Sequence, residues 1–205
     1  MEFNPNQFAN PTGEEGVRLT KHMNIHHLPL TEWGLSHLDL SGVGAALDVG
    51  CGGGNTIRLL SQNVENLAGV DISPVSVMAT KENNEALYSA GRLVVEKADA
   101  RKLPFDSETF DLVTAVETVY FWKDILVCFN EINRVLTKGG TFCMIFETYA
   151  CEEKHEYNLD LKRQIQGFNV YSTEQLHYYL EDTGFSEVIM VMHEKESWLT
   201  VLATK

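Results

Sequence analysis

Basic residues, cysteine motifs and long apolar runs are all scarce in this chain. Its 205 residues carry 16 lysines and arginines against 29 aspartates and glutamates, a formal net charge of −13. Because a field of that sign repels phosphate backbones and anionic lipids, neither nucleic acid nor a membrane is an expected partner. The four cysteines show no CxxC spacing and no regular framework. No apolar run approaches the ~20 residues that span a bilayer, and the polar N-terminus lacks a signal peptide, so we expect a cytoplasmic protein.

Short apolar strands alternate with amphipathic helical segments from Ala45 onward. This alternation predicts an α/β fold, a doubly wound parallel sheet with helices on both faces. The last two strands leave no room for a helix between them and therefore form a hairpin, which makes the last strand antiparallel. The predicted strands are 45–49, 67–70, 93–95, 110–116, 141–146, 188–192 and 199–203. The predicted helices are 31–38, one that begins at 56–60, 74–90, 125–136, and one that follows the Ser172–Gln175 capping box and ends before Gly184.

Two segments fall outside the alternating pattern. Residues 1–42 are rich in Asn, Pro and His and predict an N-terminal lid with one short helix, of which 1–30 is expected to be mobile. Residues 43–205 form the predicted domain, interrupted by a polar insertion at about 149–168. In an open sheet of this kind the ligand crevice lies beyond the carboxyl ends of the strands, and both segments are placed to cover it.

The glycines that follow the first strand are the strongest local signal. They leave the backbone free to approach a ligand, and the next helix directs its N–H groups to the same place. The spacing is G-x-G-x-G, at Gly50, Gly52 and Gly54. A dinucleotide fingerprint would have its third glycine at Asn55, and no lysine completes a P-loop. Asp48 at the start of the loop would repel a pyrophosphate and attract an amine.

Two further acids follow the next two strands. Asp71 ends strand two, where a carboxylate can accept both hydroxyls of a ribose. Asp99 follows strand three, where it can accept from an exocyclic amine of adenine. Each acid alone could be a turn or cap residue. Three acids at the ends of successive strands favour a binding site.

Five motifs in order resemble those of class I S-adenosylmethionine-dependent methyltransferases, and the likeness covers roughly residues 43–146. They are LDVGCGGG at 47–54, GVDIS at 69–73, ADAxxLPF at 98–105, FDLV at 110–113 and RVLxxGG at 134–140.

The resemblance implies a Rossmann-like sheet in the order 3-2-1-4-5-7-6 and methyl transfer from S-adenosylmethionine to a small-molecule acceptor. Asp48 and the glycine loop would hold the methionine part of the cofactor, Asp71 the ribose, Asp99 the adenine amine and the Ala100 N–H a ring nitrogen. The protein would act as a monomer or homodimer. The residues implied at the cofactor are Asp48, Gly50, Cys51, Gly52, Gly54, Asp71, Ile72, Asp99, Ala100 and Glu117.

The residues that would contact the acceptor carry no motif. Glu117, Tyr120 and Trp122 follow strand four, and their rings either line an acceptor pocket or pack the start of the next helix. Tyr120, His27 and Glu117 are the catalytic candidates. His22, His26 and His27 lie within six residues, but no cysteine or carboxylate completes a ligand spacing, so no metal is expected.

Two other functions stay open at this point. A module that binds the cofactor without catalysis would keep the same motifs. A nicotinamide-dependent oxidoreductase is disfavoured by Asn55 and Asp48. The identity of the acceptor is not encoded in any pattern of the chain.

Overall fold

A seven-stranded sheet forms the centre of the molecule in a computed structural model that describes residues 3–205. Met1 and Glu2, part of the predicted lid, lie outside the described residues. The strand order is β3-β2-β1-β4-β5-β7-β6, and β7 runs antiparallel to both of its neighbours, as predicted. The strands are β1 (Ala45–Val49), β2 (Asn66–Asp71), β3 (Leu93–Lys97), β4 (Phe110–Val116), β5 (Leu136–Phe146), β6 (Ser186–Met192) and β7 (Leu199–Thr204).

Eight helices of the described chain lie at the N-terminus or between the strands. Because α-helices cover both faces, the central strands are buried on two sides, and Leu47, Val113 and Phe142 are fully buried. None of the helices between residues 3 and 205 is long and apolar enough to cross a bilayer. The helices are α1 (Gly13–His26), α2 (Leu28–Leu35), α3 (Asn55–Leu60), α4 (Pro74–Asn83), α5 (Glu85–Ser89), α6 (Ile125–Val135), α7 (His155–Gln164) and α8 (Thr173–Asp182).

The N-terminal segment is more regular than its composition predicts. It contains α1, which the sequence analysis missed, and α2 in place of the predicted helix 31–38. Only Gly16, Leu19 and Thr20 of α1 are buried. Because so few positions face the core, α1 has no continuous apolar stripe from which it could be predicted.

The predicted helix 74–90 is divided in two at Asn84. The Asn84 side-chain amide donates to the carbonyls of Gly54 (3.1 Å) and Thr80 (3.0 Å), and its backbone departs from helical angles, with φ −123° and ψ 33°. The helix therefore breaks at Asn84 because the Asn84 side chain binds the glycine loop.

Other boundaries differ where strands meet loops. β5 begins at Leu136, earlier than predicted, and Gly139, with φ +78°, lies in an irregular stretch between the pairings of Leu136 and Thr141 with β4. Half of the insertion at 149–168 is helical, because α7 spans ten of its twenty residues.

Candidate functional site

A cavity of about 380 Å³ opens at the carboxyl ends of β1 to β4, within the size range of small-molecule sites. Three of its walls come from the loops that follow β1, β2 and β3. The fourth wall comes from the turn after β4, and the N-terminal segment covers the top. Eight of the ten residues predicted at the cofactor line this cavity, namely Gly50, Cys51, Gly52, Asp71, Ile72, Asp99, Ala100 and Glu117.

The glycine loop is held in place by Asp71. One Asp71 oxygen accepts from the Gly52 N–H (3.0 Å) and the other from the Ser73 N–H (2.8 Å). Burial nevertheless raises the pKa of Asp71 above its ordinary value. Asp71 therefore shapes the loop as well as facing the cavity.

A Cβ at Gly50, where φ is +80°, would collide with the Thr118 side chain.

Asp48 lies beneath the loop, not on the cavity wall. Its carboxyl is 2% exposed, and Oδ1 accepts from the Thr114 hydroxyl at 2.7 Å. Burial raises the pKa of Asp48 to about 7. Gly54 also stands behind the wall, where it packs against Asn84. Asp48 and Gly54 are thus the two residues implied at the cofactor that do not line this cavity.

Asp99 faces the cavity together with a cation that the sequence analysis did not single out. The Arg101 guanidinium donates to both Asp99 oxygens, at 3.0 and 2.7 Å, and it also lines the cavity. These bonds hold the pKa of Asp99 below its ordinary value. Because each carboxylate oxygen has two lone pairs, Asp99 keeps acceptor capacity for a ligand amine.

Glu117 is half-buried and lines the cavity in the turn after β4. Its φ of +56° turns the backbone sharply after β4. Its Oε1 accepts from the Glu147 N–H and lies 3.0 Å from the Tyr120 hydroxyl oxygen. Burial, with a contribution from the negative Glu147, raises the pKa of Glu117 to about 8.

Tyr120 does not line this cavity but packs behind its wall, in the core. Its ring stacks on Phe168 at 4.6 Å between centroids, and its hydroxyl accepts from the Thr148 N–H at 3.1 Å. Val119–Phe121 form a single 3-10 turn, which directs neighbouring side chains to different sides. Phe121 and Trp122 therefore reach the cavity while Tyr120 points into the core.

His27 is the one member of the histidine group that lines the cavity. Its Nε2 lies 4.0 Å from a Glu147 oxygen, and His26 Nε2 lies 3.5 Å from the other. Burial, together with His26 and His22, lowers the pKa of His27 to about 4. His22 stacks on His26, with 6.0 Å between ring centroids.

The N-terminal segment contacts the glycine loop through residues that no motif pointed to. The Asn24 side chain donates to the Gly53 carbonyl at 3.1 Å, and the Asn55 amide donates back to the Asn24 carbonyl. The Ser73 hydroxyl donates to the Pro11 carbonyl at 2.6 Å. These are long-range contacts to backbone atoms, so no local sequence pattern reveals them.

The insertion at 149–168 contributes nothing to the cavity wall, although it was expected to cover the crevice. Phe168 packs on Tyr120, and Asn158 accepts from the Thr148 hydroxyl at 2.8 Å. The first contact holds the insertion against the turn after β4, and the second holds it against the residues after β5.

Comparison with known proteins relates this chain to methyltransferases. A family model described as "Methyltransferase domain" matches residues 47–144. Cycloartenol-C-24-methyltransferase 1 of Oryza sativa subsp. japonica is 32% identical over 151 residues, which cover 70% of this chain and 43% of that protein. The chain thus spans less than half the length of this curated relative.

Solved structures share the whole fold at low identity. A chain of the complex between the Trm112 methyltransferase activator and a methyltransferase from Haloferax volcanii has a TM-score of 0.79 and 19% identity, with coverage of 100% of this chain and 98% of that one. A structure described as PigF with SAH has a TM-score of 0.76 and 17% identity, with coverage of 97% and 60%. The sheet of this chain is therefore built like theirs.

Proposed function

Because the chain belongs to the class I S-adenosylmethionine-dependent methyltransferase family, we propose that it transfers a methyl group from S-adenosylmethionine to a small-molecule acceptor. One observation carries the proposal. The cavity brings the glycine loop together with Asp71, Asp99 and Glu117, from the ends of three successive strands and the turn after the fourth. The plant relative named for methylation of a sterol, and the neighbour that contains SAH, support the same reading.

The residues of the cavity fit the cofactor. A Cβ at Gly52 would meet only the Gly50 carbonyl, at 4.0 Å, so this glycine keeps the loop backbone open to a ligand. Asp71 would accept from the ribose hydroxyls and Asp99 from the adenine amine. The Ala100 N–H would donate to a ring nitrogen. A sulfonium cofactor supplies a methyl group that is already activated, so the protein needs no covalent intermediate.

The chain's own contribution would be placement and exclusion of water. In-line placement of two reactants can account for much of an enzymatic rate. Phe121 and Trp122 form an aromatic wall whose ring faces favour a cationic centre. Glu117 and His27, on the same cavity, are the groups able to accept a proton if the acceptor carries one.

Formation of S-adenosylhomocysteine tests the proposal. The full chain is incubated with S-adenosylmethionine and the small-molecule fraction of a cell extract, and the product is measured by mass spectrometry. We expect product that depends on both the protein and the extract. Cofactor binding without any product would instead support the alternative of a non-catalytic binding module.

We also propose that the N-terminal segment, up to about Leu30, acts as a lid that becomes more ordered when the cofactor binds. Ala9, Asn10, Pro11 and Asn24 line the cavity, so a ligand would contact this segment directly. Amide hydrogen exchange with and without S-adenosylhomocysteine should show added protection in α1, whereas α7, which lies outside the cavity wall, should be unchanged. Equal protection of α1 in both states would make the segment a fixed part of the fold.

A further inference from the structure

Two histidines and one carboxylate meet at the edge of the cavity, at residues His26, His27 and Glu147. One ligand atom from each side chain lies within 4.8 Å of the others. His26 Nε2 and His27 Nε2 approach different oxygens of Glu147, at 3.5 and 4.0 Å. We call these three residues the His26–His27–Glu147 cluster.

The separations in the cluster are close to those of a coordination sphere. Two zinc–ligand bonds of about 2.0–2.1 Å at a tetrahedral angle place their ligand atoms about 3.3 Å apart. The two distances to Glu147 exceed that value by less than 1 Å. Side-chain rotation alone can therefore bring the three ligands around one ion.

The backbone on both sides of the cluster is fixed by hydrogen bonds. The His27 carbonyl accepts from the Thr31 hydroxyl at 2.8 Å. The Glu147 N–H donates to Glu117, and the Thr148 N–H donates to Tyr120. These contacts fix the end of α1 against α2 and the residues after β5 against the turn after β4, so neither backbone that carries the ligands is a free loop.

We propose that the His26–His27–Glu147 cluster binds one divalent transition-metal ion of the zinc type at the edge of the cofactor cavity. Imidazole suits zinc and its neighbours, and three protein ligands leave at least one coordination position open, as in catalytic zinc sites. His27 lines the cavity, so the open position faces the space that an acceptor would occupy.

The substrate class follows from this ion, and this step rests on the proposed function. An acceptor with a hydroxyl or carboxylate oxygen binds to the open position and is oriented by it. The metal would also lower the pKa of a bound hydroxyl group, whose proton would pass to water; the oxygen would then take the methyl group from the sulfonium and leave S-adenosylhomocysteine. The site therefore favours methylation of an oxygen-bearing small molecule. The sequence analysis expected no metal because no carboxylate lies near the histidines in the chain. β5 supplies it.

Equilibrium dialysis of the full chain against Zn²⁺, without an added histidine tag, tests the proposal. We expect one equivalent to bind with micromolar affinity or tighter, and Mg²⁺ in excess should not displace it, because imidazole is a poor ligand for that ion. His27→Ala and Glu147→Gln should each weaken binding by at least about tenfold, the lower end of the effect seen when a metal site loses support. His26→Gln is a milder third variant, and all variants are checked for an unchanged melting temperature.

The chain offers a matched control in a second histidine–glutamate pair. His177 Nδ1 lies 3.3 Å from a Glu181 oxygen on α8, and no third ligand completes a cluster there among residues 3–205. His177→Ala should leave zinc binding unchanged. Absence of a stoichiometric zinc ion in the wild type, or equal binding by the His27 and Glu147 variants, overturns the proposal.

Calorimetry with S-adenosylhomocysteine on the same samples separates the two proposals. If the wild type binds S-adenosylhomocysteine but no zinc, the metal site is overturned and the proposed function stands. If it binds zinc but no S-adenosylhomocysteine, the metal site stands and the proposed function is overturned.

Discussion

Asp48→Asn should make the ligand-free protein more stable at pH 8, by up to about 4 kcal/mol relative to the wild type. The folded protein raises the pKa of Asp48 from 3.8 to about 7, mainly through burial. The folded carboxyl thus holds its proton more tightly than the unfolded one. The stability of the wild type must therefore fall as the pH rises from about 4 to about 7. An asparagine has no such penalty, and its oxygen still accepts from Thr114.

Urea unfolding of both proteins at pH 5 and pH 8 checks this prediction. The advantage of the variant should grow between the two pH values. Asp182→Asn, at an exposed position on α8, is the matched control and should leave stability nearly unchanged. The same pH dependence in the wild type and in Asp48→Asn would mean that Asp48 is ionised in the folded protein at neutral pH.

Tyr120→Ala should destabilise the fold by about 3–5 kcal/mol, the range for loss of a large buried aromatic side chain. The ring is 2% exposed and packs against Phe168 and Phe146. Tyr120→Phe keeps that packing and loses only the hydroxyl. The free energy of unfolding of Tyr120→Phe should fall by about 1–3 kcal/mol, because the polar groups of Thr148 and Glu117 are then left without the hydroxyl as partner.

Denaturant unfolding at neutral pH separates these two losses. Tyr178→Ala is the control, because Tyr178 is 62% exposed on α8 and should change stability by less than about 0.5 kcal/mol. Unfolding of Tyr120→Ala at the wild-type midpoint would place the ring on a surface.

Elements with a regular apolar pattern were predictable from the sequence. Each of the seven strands was predicted within a few residues except for the start of β5. The capping box at Ser172 was also correct, because the Ser172 side chain accepts from the Gln175 N–H and the Gln175 side chain returns the bond. Such signals are local, since the residues that form the contact are neighbours in the chain.

Features that depend on distant partners were not predictable. Asn84 ends α4 because of a carbonyl in the glycine loop. Tyr120 points inward because Phe168, from the insertion, covers it. Glu147 completes the histidine cluster only when β5 comes beside α1. In each case the partner lies at least thirty residues away in the chain. A local sequence pattern does not show which distant residues come into contact.

Calorimetry with S-adenosylhomocysteine tests the central claim most directly, because the cavity that the glycine loop lines is proposed to bind the cofactor and this product of it. The wild type should bind one equivalent, and NAD should give no heat. Asp71→Asn retains the shape of the side chain but should weaken binding by about 1.5–3 kcal/mol, the range for a hydrogen bond to a charged group. Asp182→Asn should bind like the wild type, and unfolding midpoints show that each variant is folded. Unchanged affinity in a folded Asp71→Asn, or binding of NAD in place of S-adenosylhomocysteine, would contradict the proposed site.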